Sequence, residues 1–318
     1  MRVLITGGAG FVGSHLAEAC LAGGAEVCVL DDLSTGSRAN LAGLEGHPRF
    51  LLRVGSATDA AAVAEAVRDA DAVYHLAAAV GVKLIMEEPL RSLATNVHGA
   101  DVVLRQADRY RKPVLLVSSS EVYGKSSKVP FVEDDDVVHG PTTRPRWAYA
   151  CAKALDEFLA LAYWRETRLP VVIARLFNTV GPRQTGRYGM VIPTFVRAAL
   201  AGAPITVHGD GRQTRCFAHV ADVVAGLSAL QNAPAAQGQV VNLGSTEEVS
   251  ILDLARRIKA LTGSPSVIRH VPHDEAYGPG FEDVGRRVPS LRKAEELIGW
   301  TPRRNLEAIL TDVIQSMR

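Results

Sequence analysis

With 318 residues, 47% of them apolar and 22% charged, the chain is long enough for one large domain or two modest ones of ordinary globular composition. A formal net charge of +1 and the lack of a long basic run argue against a nucleic-acid partner, and no apolar stretch reaches the ~18 residues of a membrane span. The four cysteines (Cys20, Cys28, Cys151, Cys216) show no paired or metal-like spacing, and "MRVLITGGAG" is a poor signal-peptide core, so a cytoplasmic protein is expected.

The opening stretch "RVLITGGAGFVGSHLAEACLAGGAEVCVLDD" reads as strand, tight turn, helix, turn, strand. "VLIT" and "VCVL" are β-branched runs of buried-strand type, and Leu16, Ala17, Cys20 and Leu21 recur at helical spacing between them. Gly8, Gly10 and Gly13 fit G-x-G-x-x-G, and Gly7 extends it to G-x-x-G-x-x-G. Missing side chains there let the backbone turn sharply and approach a pyrophosphate, which then faces free N–H groups at the helix N-terminus. Gly7, Gly10, Phe11, Val12 and Gly13 are therefore candidate dinucleotide contacts. Asp31 and Asp32 follow at about the 20-residue distance expected of a carboxylate that grips ribose hydroxyls. Carboxylates there repel a 2′-phosphate and favour NAD over NADP, although Arg38 nearby argues the other way.

Strand-helix alternation continues through "RFLLRVG", the helical "ATDAAAVAEAVRDA", "AVYHLAAAV", a helix around 90–110, "VLLVSSS", a helix over roughly 147–166, and "PVVIARLFN". Such alternation predicts an α/β fold with a doubly wound parallel sheet. From about residue 178 Gly and Pro become frequent, which marks a smaller mixed α/β lobe. The expected division is a Rossmann domain over 1–177, with a return segment near 215–245, and a substrate-binding lobe over most of 178–318.

"VLLVSSSEVYG" (114–124) runs a buried strand straight into hydroxyls and an acid, and "YACAK" sets Tyr149 and Lys153 four apart on one helix face. A tyrosine is a poor base near neutral pH unless a nearby ammonium favours its phenolate. Together with the glycine turn, these motifs resemble the extended short-chain dehydrogenase/reductase family, within it the nucleotide-sugar epimerases, dehydratases and decarboxylases. "DDLSTG", "HLAA", "NVHGA", "RLFNTVGPRQ", "RCFAHVADVV" and "RRVPSLRKAEELIGW" carry the resemblance nearly end to end. It implies that Ser119 hydrogen-bonds the sugar O4 and that Tyr149 takes the O4 proton. It implies also that Lys153 holds the nicotinamide ribose and tunes Tyr149. Leu76, Ala77, Ala78 and Asn96 would line NAD, while Ser56 stands where the family usually has an Asp near the adenine.

The members differ in the step after C4 oxidation. A 4-epimerase needs no group at C5 or C6, and a 4,6-dehydratase uses an adjacent Asp-Glu pair, here Ser120-Glu121 with the acid missing. Oxidising a uronic acid instead gives a β-keto acid that readily loses its carboxylate. Ser119, Ser120 and Glu121 resemble the pattern of UDP-glucuronic acid decarboxylases, which yield UDP-xylose or its 4-keto form. "DVGRRVPS" (283–290) places Arg287 where that group brings an arginine into the site, and a guanidinium suits carboxylate binding and proton delivery to C5. Decarboxylation leads, with 4-epimerisation and then dehydration as alternatives. By the same resemblance Asn178, Arg183 and Arg215 bind the diphosphate of a UDP-sugar, Val191 and Thr206 cover the uracil, and Tyr277 joins the substrate site. The histidines are too dispersed to hold a metal. Helices near 91–110 and 147–164 would pair across a homodimer as a four-helix bundle.

Overall fold

The computed structural model describes residues 1–80, 88–186, 190–272, 275 and 284–318. Its strands are β1 (Arg2–Thr6), β2 (Glu26–Asp31), β3 (Phe50–Val54), β4 (Ala72–His75), β5 (Val114–Ser119), β6 (Val171–Leu176) and β7 (Thr179–Val180). They continue as β8 (Ile205–His208), β9 (Thr214–Cys216), β10 (Ala218–His219), β11 (Val240–Leu243), β12 (Glu248–Ser250), β13 (Ile268–Val271) and β14 (Arg286–Arg287). Seven form one sheet in the order β3-β2-β1-β4-β5-β6-β11, every neighbour parallel. The order reverses between β1 and β4, where such a sheet opens a crevice beyond its strand carboxyl ends.

Helices α1 (Phe11–Ala22), α2 (Ala60–Arg68), α3 (Pro89–Leu93), α4 (Gly99–Arg109) and α5 (Ala148–Thr167) are followed by α6 (Val191–Leu200), α7 (Val220–Gln231), α8 (Ile251–Thr262), α9 (Arg292–Ile298) and α10 (Leu306–Met317). With helices on both faces, the central strands are buried on both sides, so β1 and β5 read as continuous apolar runs and not as alternating ones. Val3 and Ile5 face one core, with Leu16, Leu227 and Trp300, while Leu4 faces the other, with Val67, Val103 and Leu104. A third core, built from Ile192, Val196, Leu254, Ile258 and Leu310, lies in the later part of the chain around α6, α8 and α10. Trp300 and Ala294 return to the first core, so the chain crosses back after β11 as well as at it.

The helix expected over 90–110 is two α segments joined by a wider turn at Ala94–His98. That turn coincides with Asn96, a fully buried side chain that accepts from the Ala79 N–H (2.8 Å) and donates to the Ala79 carbonyl (3.3 Å). Wide turns of this kind are common where a helix serves a site.

Behind the end of β5 lies a buried polar knot. The Arg175 guanidinium forks onto Glu157 (2.7 Å at the shorter contact), donates to the Glu133 carbonyl (3.0 Å) and lies 4.7 Å over the Tyr123 ring. Ser118 donates to Glu157 (2.5 Å), and Tyr123 donates to Asn242 (2.8 Å). Removing one member of a buried ion pair strands the other charge. Glu157→Gln should lower unfolding free energy by about 3 kcal/mol in a denaturant titration, and the apolar pair Glu157→Leu with Arg175→Met should recover most of that loss.

Candidate active site

A cleft of about 620 Å³ runs from the glycine turn to the small β9 sheet. At the turn, Gly7 has φ +72°, and a Cβ on it would lie 2.6 Å from the Ala77 nitrogen. A Cβ on Gly13 would lie 2.3 Å from the Gly7 carbonyl. Backbone packs on backbone there, which is why the sequence has no side chains at these positions. Helix α1 begins at Phe11 with Gly10 as its cap and no capping side chain, so its first N–H groups stay free for an anion.

Asp31 is buried under this turn and accepts from Ala9 N–H (2.9 Å) and Leu33 N–H (2.8 Å). Burial raises its carboxyl pKa against those two bonds. Asp31 thus shapes the loop, and Asp32 beside it also lines the cleft. Ser56 reaches the wall but spends its hydroxyl on Thr58 (2.9 Å). Leu76, Ala77 and Ala78 form the opposite wall, whereas Asn96 sits behind it and acts on the loop through Ala79. The glycine cradle, the open helix end and the two acids together fit a dinucleotide with a diol-bearing ribose.

At the far end of β5 the chain turns at Ser119, whose hydroxyl caps a short helical turn (Ser120–Tyr123) by accepting from the Glu121 N–H at 3.2 Å. That turn throws Glu121 into the cleft. Its carboxylate receives Arg146 at 2.8 Å on one oxygen and Arg287 at 2.6 Å on the other. Burial pushes the Glu121 pKa up, but the two guanidiniums outweigh it and hold the group well below the usual carboxylate range. Both arginine side chains are under a tenth exposed (8% and 6%), so neither charge is shared with bulk solvent.

Arg287 comes from β14, which pairs in parallel with β9 so that Arg287 stands beside Arg215. Phe131 fixes the residues after it, donating its N–H to the Val288 carbonyl and accepting from the Ser290 N–H, both at 2.8 Å. Arg146 lies on the turn Pro145–Trp147 that leads into α5. The sequence reading missed Arg146, although its place three residues before Tyr149 puts it on that tyrosine's side of the helix start.

Tyr149 and Lys153 both line the cleft from α5. Burial and the Glu121 charge raise the Tyr149 pKa, and a hydrogen bond with Ser119 opposes them. The Lys153 ammonium is itself engaged by Asp156 at 3.1 Å.

Asn178, Arg183, Val191, Thr206 and Arg215 all reach the remaining wall, while Tyr277 lies outside the described residues. Asn178 donates to the Cys216 carbonyl (3.0 Å). Arg183, in the left-handed region at φ 67°, bonds Glu18 of α1 (2.6 Å) and the Asn40 carbonyl (3.2 Å). Its guanidinium therefore lies toward the dinucleotide half, not with Arg215. Gln184, His208 and Gln213 are further polar wall residues that no motif had singled out.

The cradle at the sheet's switch point and the Ser-Tyr-Lys set beside it define a dinucleotide-binding α/β protein of short-chain dehydrogenase type. Residues 4–313 match the GDP-mannose 4,6 dehydratase family, and the chain belongs to this family of extended short-chain dehydrogenase/reductases. It is 42% identical over 318 residues to a UDP-N-acetyl-alpha-D-glucosaminuronate decarboxylase of Bacillus cytotoxicus, covering 100% of this chain and 98% of the relative. It is 38% identical to UDP-glucuronic acid decarboxylase 1 of Danio rerio, covering 99% of this chain and 72% of the relative. Among solved structures, a UDP-glucuronic acid 4-epimerase from Bacillus cereus in complex with UDP-glucuronic acid and NAD is similar at a TM-score of 0.89. The identity there is 27%, over 100% of this chain and 99% of that one.

His75, at the end of β4, is fully buried behind the cleft. The Thr6 hydroxyl meets its Nδ1 at 2.7 Å, and its Nε2 has no partner among the described residues. Burial, then the Lys153 charge, pushes its pKa down to about 3. The unfolded chain binds a proton there from about pH 6.5 downward while the native state does not. Stability should therefore fall as pH drops from about 6.5 toward 3, and His75→Asn should flatten that acid limb in a thermal-melt series.

Proposed function

We propose that the protein is an NAD-dependent decarboxylase of UDP-glucuronic acid, working through a 4-keto sugar to UDP-xylose or UDP-4-keto-xylose. The observation that carries this reading is the Glu121 carboxylate held between Arg146 and Arg287 beside Tyr149. An epimerase handling a neutral sugar has no use for two buried guanidiniums at that end of the cleft. A dehydratase needs an acid where Ser120 stands. The substrates of the decarboxylase relatives each carry a carboxylate by name.

Ser119 and Tyr149 bracket O4, with Tyr149 accepting its proton as C4 is oxidised. NAD held along Gly7, Gly10, Gly13, Asp31 and Asp32 would supply the hydride acceptor for C4 oxidation and the hydride donor for a final reduction. The ketone makes the C6 carboxylate a β-keto acid, so the C5–C6 bond can break with its electron pair delivered to O4. Tyr149, protonated at that point, and Ser119 stabilise the resulting enolate by hydrogen bonding. Arg146 and Arg287 orient the leaving carboxylate through guanidinium forks. Glu121, ionised throughout, opposes its charge, and loss of neutral CO₂ relieves that repulsion. A guanidinium yields no proton near neutral pH, so Arg287 serves C5 by orienting the water that reprotonates it. Arg215 and Asn178 hold the diphosphate, and Val191 and Thr206 flank the base.

The 42% identity to the N-acetylglucosaminuronate enzyme supports a second reading, in which the sugar carries an N-acetyl group at C2. The carboxylate clamp is indifferent to that substituent, so both nucleotides belong in the assay. With NAD and each uronate, mass spectrometry should show loss of CO₂, whereas an unchanged sugar mass would sink the decarboxylase reading. Glu121→Gln should lose CO₂ release while C4 oxidation stays detectable. Arg146→Met should raise KM for the uronate by about ten-fold or more, since it removes a desolvated charge partner.

The protein is read as a cytoplasmic homodimer. Helix α3 and helix α5 lie side by side, and Leu90 (84% exposed), Leu155 (51%) and Phe158 (68%) stand open on them. An exposed apolar set of this kind suits a matching face on a second copy. Phe158→Glu should convert a dimer to a monomer in light scattering, and a wild-type monomer at micromolar concentration would overturn the assignment.

A further inference from the structure

Asp156 sits one helical turn after Lys153 on α5 and is 1% exposed. No motif named it, and the mechanism above makes no use of it. One carboxylate oxygen takes the Lys153 ammonium at 3.1 Å, and the other, Oδ1, has no partner among the described residues. A buried acceptor left open beside a catalytic ammonium calls for an explanation other than helix stability.

We propose that Asp156 is a positioning residue that competes with the cofactor ribose for the Lys153 ammonium and thereby sets when Tyr149 can act as a base. The proposal rests on the reading of Tyr149 and Lys153 as the groups that serve the sugar and the cofactor. Lys153 lines the cleft and its ammonium bonds Asp156, so the side chain stands between that carboxylate and the ligand site. While Asp156 holds it, the charge that would favour the Tyr149 phenolate is partly offset by the carboxylate. Ribose hydroxyls draw the ammonium forward, and the phenolate then gains its partner. The pair thus couples cofactor binding to proton abstraction.

The other charges around these two side chains are fixed by partners of their own. Glu121 is held by Arg146 and Arg287 on the turns in front, and Glu157 of α5 is held by Arg175 of β6 behind. His75 of β4 stays neutral through burial. Asp156 also bears directly on Tyr149, where its charge disfavours the phenolate.

The test is a double-mutant cycle read by calorimetric NAD binding to cofactor-free protein, alongside kcat/KM against pH for the uronate. Asp156→Asn should tighten NAD several-fold, and that gain should vanish in the Lys153→Met background. The same variant should move the acid limb of the pH profile down by roughly one unit, while Asp156→Glu should restore wild-type values. A lower melting temperature with unchanged NAD affinity and an unmoved limb would make Asp156 merely structural. If the protein turns over no uronate, the NAD cycle still decides the pairing by itself. Should Asp156→Asn fail to fold, carbon NMR of labelled wild-type protein replaces it. The Asp156 carboxyl resonance should shift on NAD addition, and a resonance that stays in place would overturn the proposal.

Discussion

Everything distinctive about this cleft depends on one buried carboxylate shared by two guanidiniums. Two positive charges this close repel each other and are each costly to desolvate. Glu121 makes them tolerable, and they in turn keep it ionised in a site whose burial would otherwise protonate it. The three residues come from three separate pieces of chain: the turn after β5, the turn before α5, and β14. The rest of the architecture brings those pieces within hydrogen-bond reach. The Arg175–Glu157 knot stiffens the end of β5 from behind, and the Phe131 bridge fixes the segment that carries Arg287.

The sheet beneath serves a different end. Its switch point offers a place for a long anionic ligand, and the glycine turn shapes one half of it by backbone alone. The reaction is then selected by short elements outside the sheet. This division explains why epimerases, dehydratases and decarboxylases share so much of one fold. The backbone similarity to the Bacillus cereus epimerase extends over the whole chain, while the chemistry turns on a few side chains at the strand ends.

Much of this was legible in the sequence because local signals agreed with tertiary ones. Gly7, Gly10 and Gly13 are glycines for steric reasons that a spacing pattern captures, and Tyr149 and Lys153 lie on one face through helix geometry alone. Strand-helix alternation likewise announced the parallel sheet. Other features were hidden because they arise only from contacts distant in sequence. Arg146 gains its meaning from Arg287, 141 positions later in the chain, and no periodicity links the two. Asn96 carries a motif that suggested a cofactor contact, yet its amide faces the protein backbone. The family resemblance set Arg183 on the substrate diphosphate, and its bonds to Glu18 and the Asn40 carbonyl could be seen only in the fold. Asp156 carries no sequence signal, and only the fold shows it buried beside Lys153.

The Phe131 bridge has a consequence for the ligands the cleft admits. With the backbone around Pro289 tied on both sides, Arg287 has little freedom to swing away from Glu121. An arriving anion must therefore compete with a resident carboxylate that is covalently tethered and so present at high effective concentration. Stray phosphate or acetate offers too few other contacts to win that contest. A carboxylate on a ligand anchored elsewhere in the cleft brings its own local excess and does. The internal carboxylate works as a built-in competitor, a filter that keeps an electropositive pocket from filling with the commonest anions of its surroundings.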